Sequence, residues 1–152
     1  MPERRSFEYA LVRVVPRVER GECLNAGAIV WCRSLRWLRA TVELDRARLL
    51  TLAPEADVAM IASHLESFAR VAEGGDDAGP IGRLAPAERF RWLVAPRSTA
   101  IQVSEVHEGL CEDPQKALDH LVETLVRAPA RPASAEGASP PTVAEAPAEG
   151  GP

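Results

Sequence analysis

The sequence predicts an α+β fold, a mainly antiparallel sheet of about four strands with helices packed on one face. Three observations predict it. Strand-like patterns fill the first 44 residues, helical periodicity dominates afterwards, and the link between the second and third strands is short enough for a hairpin. In the first strand, Phe7 to Val15, the residues Phe7, Tyr9 and Leu11 share one face, while Ala10, Val12 and Val14 share the other. Both faces are apolar, which marks a central or well-covered strand. Pro16 has no N–H to give to a ladder and ends it. The second strand, Ala26 to Cys32, is also apolar on both faces. In the third, Trp37 to Leu44, apolar Leu38, Ala40, Val42 and Leu44 alternate with Arg39, Thr41 and Glu43.

Helices follow. Asp45 is an N-cap for a short helix through Leu52, interrupted at Pro54. Val58, Ile61, Leu65, Phe68 and Ala72 form one apolar stripe of a helix from Glu55 to Glu73, stopped by Gly74 and Gly75. Gly74 to Leu84 reads as a loop, and Pro86 starts a short helix carrying Phe90, Trp92 and Leu93. Ser98 to Val103 has strand composition. Asp113 and Pro114 form a cap and first-turn pair for a last helix with Leu118, Leu121, Val122 and Leu125 on its apolar face. The folded domain is therefore expected over 1–128. From 129 to 152 nearly every residue is Ala, Pro, Glu, Gly or Ser, a composition that cannot offset the entropy of ordering, so a disordered tail is expected there.

Composition narrows the function classes. The net charge is −4, which disfavours nucleic-acid binding, although residues 1–48 hold ten Arg against six acidic residues. Cys23, Cys32 and Cys111 cannot all pair, none lies in a CxxC, and no apolar leader follows Met1; a reduced, cytoplasmic protein is expected. No apolar run approaches the ~20 residues of a membrane span. His107 and Cys111 lack a second ligand pair, so neither a metal nor a cofactor is expected. Trp31, Trp37 and Trp92 read as core, with Trp37 also able to join Arg36 and Arg39 in a partner-facing patch.

Two clusters could carry chemistry. In the first, Arg13 falls on the apolar face of strand one, where a charge needs a partner, and Glu22 is one natural choice. Arg20 and Asn25 lie beside it, and Gly21 permits a left-handed turn. A structural Arg–Glu pin and an anion-binding pocket are both open readings. In the second cluster, Arg97, Ser98 and Thr99 combine a guanidinium fork with two hydroxyls, and His107 is an acid–base candidate in a loop. The catalytic candidates are Glu22 and His107; the anion-binding candidates are Arg13, Arg20, Asn25, Arg97, Ser98 and Thr99.

FEYALVRVVPRVERGECLNAGAIVWC, ERFRWLVAPRSTAIQVSEVHEGL and the EDP-started helix together resemble the bacterial family of domain of unknown function 3037 (DUF3037). The resemblance spans about residues 6–127 and rests on two blocks: Arg20, Gly21, Glu22, Asn25 and Gly27; then Arg97, Ser98, Thr99, His107 and Gly109. It departs at Cys23, where a larger apolar residue is expected. It implies genomic association with kinases similar to the HipA toxin kinase, hence a protein partner. If both blocks serve one purpose, they meet at one end of the sheet, where Arg20, Glu22, Asn25, Arg97, Thr99 and His107 would line a polar pocket. Two functions follow: an interaction or regulatory partner of a HipA-like kinase, or an enzyme or binder for a phosphorylated or carboxylated small molecule.

Overall fold

A computed structural model of the chain describes residues 3–129. The expected tail, apart from Pro129, lies outside the described residues. β1 (Arg5–Val14), β2 (Leu24–Cys32) and β3 (Trp37–Val42) form an antiparallel meander. A 3-10 turn, Arg33–Leu35, and Arg36 at φ 49° reverse the chain between β2 and β3.

The other edge of β1 is covered in two pieces. β4 (Ile101–Val103) pairs with it from Val14 to Val12, and β5 (His107–Cys111) pairs with it from Tyr9 to Arg5. Between them Ser104, Glu105 and Val106 face only Ala10 and Leu11, which makes one edge strand interrupted by a bulge. Buried Ser104 holds the break: its N–H donates to the Leu11 carbonyl and its hydroxyl accepts from the Leu11 N–H, each at 2.8 Å. The sheet therefore has five strands in four lanes, and the whole is antiparallel α+β.

A second bulge sits in β2. Val12 lies opposite Gly27 and Arg13 opposite Asn25, so Ala26 is the extra residue. The insertion reverses side-chain parity, and Leu24 and Ala26 join Ile29 and Trp31 in one core. Gly27 is needed at this point because a Cβ would stand 2.7 Å from the Thr41 carbonyl oxygen.

Helices lie on both faces of the sheet rather than one. On the first face, Val12, Val14, Ile29, Trp31 and Leu38 pack with residues of α1 (Arg46–Leu52), α2 (Val58–Glu73) and, beyond a short α3 (Gly79–Gly82), α4 (Pro86–Leu93). On the second, Phe7, Leu11, Ala28, Val30 and Cys32 pack with Leu118 and Leu121 of α5 (Pro114–Leu121) and with the π turn Val122–Val126 that extends it. The reason is the one visible in β1 and β2: strands apolar on both faces need two covers. Asp45, Asp57 and Asp113 each accept a hydrogen bond from a backbone N–H in the first turn of α1, α2 and α5. Asp57 thus starts α2 three residues after the expected Glu55. Trp31 is core; Trp37 is half-buried, and Trp92, expected inside, is 38% exposed.

Candidate functional site

The first block folds into the β1–β2 turn. Gly21 takes φ 72°, and Arg20 forms an exposed ion pair with Glu22, its Nε donating to Oε1. Glu22 is thus the partner of Arg20 and not of Arg13. Asn25, turned to the second face by the Ala26 bulge, donates from Nδ2 to the carbonyl of Leu125 at 3.0 Å. That bond satisfies one orphan carbonyl at the end of the last helix. Arg13 lies in register between Asn25 on β2 and Gln102 on β4. Its Nε is buried and has no hydrogen-bond partner among the described residues.

The second block divides. Arg97 turns back onto α4. One terminal nitrogen donates to the carbonyls of Leu93 (2.7 Å) and Ala95 (3.0 Å), and the other donates to that of Trp92 at 2.7 Å. Its guanidinium stands 4.9 Å from the Phe68 ring centre and 4.7 Å from that of Trp92. Burial lowers its pKa from the usual arginine value. Arg97 therefore caps a helix C-terminus, where carbonyls and the helix dipole favour a cation. Ser98 is exposed, and the Thr99 hydroxyl donates to the Ile101 carbonyl at 2.9 Å. His107 is exposed on β5, opposite Tyr9, with ring centres 5.3 Å apart.

These placements separate the six residues expected in one pocket. Thr99 does lie near the β1–β2 turn, because Val15 donates to the carbonyl of Ala100 at 2.7 Å. Arg97 is spent on α4. His107 is level with Tyr9, five residues or about 17 Å along β1 from Val14. Gly109, its companion, is a packing residue: a Cβ there would stand 2.7 Å from the Phe7 ring.

One structural arginine escaped the sequence reading. Arg89 is 9% exposed. It donates to the carbonyls of Val71 (2.9 Å), Ala72 (2.6 Å) and Leu84 (3.0 Å). It closes the end of α2 as Arg97 closes that of α4. Burial, and then the nearby charge of Arg39, lower its pKa. Gly74, at φ 82°, lets the chain hug it, since a Cβ would stand 2.7 Å from the guanidinium. The signal was available: Pro86, Arg89, Phe90 and Leu93 share one helical stripe.

A different set of charges lacks such partners. The ion pairs among the described residues are Arg20–Glu22, Arg83–Asp76 and Arg127–Glu43. Glu8 of β1 and Glu108 of β5 lie directly opposite each other. They share a face with Trp31, and with Ser6 and Arg33 they line a cavity of about 310 Å³. A second cavity of about 330 Å³ shares Glu8, Trp31 and Arg33 and extends to Phe90, Arg91 and Val106. Together they mark the part of the first face that α2 and α4 leave uncovered. Across the edge of β5, Phe7, Leu110, Cys111, Lys116 and His120 line an apolar cavity of about 380 Å³ against α5. Burial is the chief cause that raises the pKa of the Cys111 thiol, which disfavours a reactive thiolate.

No group of three His, Cys, Asp or Glu among the described residues is placed to hold a metal ion. No described helix is long and apolar enough to cross a membrane. The fold and its motifs thus define a small antiparallel α+β protein whose prominent arginines and glycines largely serve its own backbone. The chain belongs to the DUF3037 family, described as a protein of unknown function, whose model matches residues 9–126. No curated protein and no solved structure matches it.

Proposed function

We propose that the protein is a small cytoplasmic interaction or regulatory partner, with a HipA-like kinase as the partner the family resemblance implies. The uncovered end of the sheet carries this reading. There Leu110 is 66% exposed and Val106 42% exposed, beside unpaired charges over Trp31. Single exposed apolar residues are ordinary, but Val106 lines the groove that holds the unpaired charges and Leu110 the cavity across the same strand, which fits an interaction surface. The internal use of Arg97, Asn25 and Arg20 supports the same reading, because their donors face carbonyls or a carboxylate of this chain. The test is purification of the tagged full chain from its native cell. Stoichiometric recovery of a HipA-like kinase is the expected result. A protein that migrates alone at every concentration and retains no partner overturns it.

The second reading is a binder or enzyme for a phosphorylated or carboxylated compound. One observation favours it: the buried Arg13 Nε without a partner, in register with Asn25. In this reading Arg13 and Asn25, opposite each other in register, hold the anion, while Arg97, turned back onto α4, and His107, farther along β1, take no part. A panel of phosphate esters and carboxylates tests it. A rise in melting temperature that Arg13→Gln abolishes would establish it, since a ligand bound to the native state stabilises by mass action.

A further inference from the structure

The outer edge of β5 brings three features together. First, the strand pairs with β1 on one side and with no strand on the other. Such an edge offers free backbone donors and acceptors to an extended chain. Native sheets commonly blunt an edge with lysine, proline or a covering element. β5 has no lysine or proline; it is short, bears the charge of Glu108 and follows the Ser104 bulge, yet His107, Glu108 and Leu110 are all exposed.

Second, two carboxylates stand side by side at this edge, and Arg33 and Arg91, which line the same groove, form an ion pair with neither. Glu8 and Glu108 are cross-strand neighbours on one face, where Cβ atoms stand about 5 Å apart and like charges repel. Neither has an ion-pair partner among the described residues. A strand added beside β5 would place one side chain next to Glu108 on that same face. A Lys or Arg there would meet both carboxylates.

Third, the two sides of the edge differ in a way that an alternating segment can read. One side holds the two glutamates over Trp31, and the other holds the apolar cavity floored by Phe7 and walled by α5. Successive residues of an added strand point to these opposite sides.

We propose that the outer edge of β5 takes up an extended segment of the partner protein, in which a Lys or Arg faces Glu8 and Glu108 and its immediate neighbours are apolar. This rests on the partner reading above and specifies its interface. The recognition mode is strand addition: main-chain hydrogen bonds supply affinity, and alternate side chains supply specificity. A second copy of this chain fits less well, because its own β5 presents another glutamate and no lysine or arginine.

The test uses the full chain and two synthetic heptapeptides of alternating valine with either lysine or glutamate. Hydrogen exchange is followed over residues 106–111. The lysine peptide is expected to slow exchange there severalfold, and the glutamate peptide to leave it unchanged. In Glu108→Lys the preference should reverse. Glu108→Lys should also melt higher than wild type, because the new lysine pairs with Glu8, so lost binding cannot be attributed to unfolding. Equal protection by both peptides, or by neither, overturns the proposal. So does protection that grows with protein concentration alone, which would make a second copy the occupant. A copurified kinase retained undiminished by Glu108→Lys also overturns it, yet leaves the partner reading standing. Failure to recover any partner, with lysine-selective protection intact, supports the edge site and removes the kinase.

Discussion

The corner around α4 and the edge around β5 are both rich in charge, and they treat it in opposite ways. At α4, Arg89 and Arg97 each reach three backbone carbonyls, Arg89 buried and Arg97 half-buried. At β5, Glu8 and Glu108 face each other, and Arg33 and Arg91 line the same groove, yet none of the four forms an ion pair among the described residues. The first arrangement is what a fold requires of a buried cation: its desolvation cost is offset only when its donors are filled. The second adds nothing to folding and mildly opposes it. Charges that stabilise nothing within the chain are the better candidates for contact with something outside it.

The comparison breaks first at Arg89. Arg89→Ala would strand the carbonyls that end α2 and leave a void beside Gly74, at a cost of roughly 3 kcal/mol. Urea titration would show it as a lower midpoint with an unchanged slope. A loss within the range of ordinary surface substitutions would mean that water replaces the guanidinium freely. Gly27→Ala is expected next, at roughly 2 kcal/mol, because the new methyl meets the Thr41 backbone, which cannot swing aside as a side chain could. Gly27→Ala measured beside Gly109→Ala sharpens the point. Gly109 is opposed by the Phe7 ring, a side chain with some freedom to shift, so its loss should be the smaller.

Arg97→Ala follows at about 1–2 kcal/mol, from the lost helix cap and the two ring contacts. Ligand panels would read the same variant differently. A pure loss of melting temperature, with no ligand response to lose, assigns Arg97 to the scaffold. A ligand-induced shift in wild type that disappears in the variant would transfer it to the β5 class, as a charge kept for an outside partner.

These residues also show what the sequence could reveal. The α+β class and antiparallel sheet were legible in the early strands and the later amphipathic helices, and so were the Asp45 and Asp113 caps, while α2 starts behind Asp57 and not at the expected Glu55. Helices were expected on one face; the two-sided cover follows from the apolar residues on both faces of β1 and β2. The Ala26 bulge was not legible: unbroken alternation would put Asn25 on the face of Ile29 and Trp31, whereas the inserted residue turns it toward Leu125. β5 read as a loop because its residues are polar on a free edge and include Gly109, so no alternation marks it. The pocket expected from two motif blocks failed for a related reason. Arg97, Thr99 and His107 are near in sequence, but a bulge at Ser104 and a helix end at α4 send them to three places.

Glu43 and Arg127 define a third kind of charge, paired yet exposed, and should show the smallest effect. Arg127 donates from two nitrogens to the Glu43 carboxylate at 2.9 and 2.8 Å, joining the end of β3 to the end of the π turn. The hydrogen bond from Arg127 is the main cause that lowers the Glu43 pKa from the ordinary glutamate value. A carboxylate with a depressed folded-state pKa contributes stability that is fully present above its unfolded pKa and lost as pH falls through the folded one. Arg127→Gln should therefore melt slightly lower than wild type at neutral pH, and the difference should close as pH falls below the ordinary glutamate pKa, so that the variant's acid limb is the flatter. Salt should erase the difference, because both groups face solvent. An equally steep acid limb in wild type and variant would show that this pair, though bidentate, belongs with the idle charges of the β5 edge and not with the arginines that hold the helix ends.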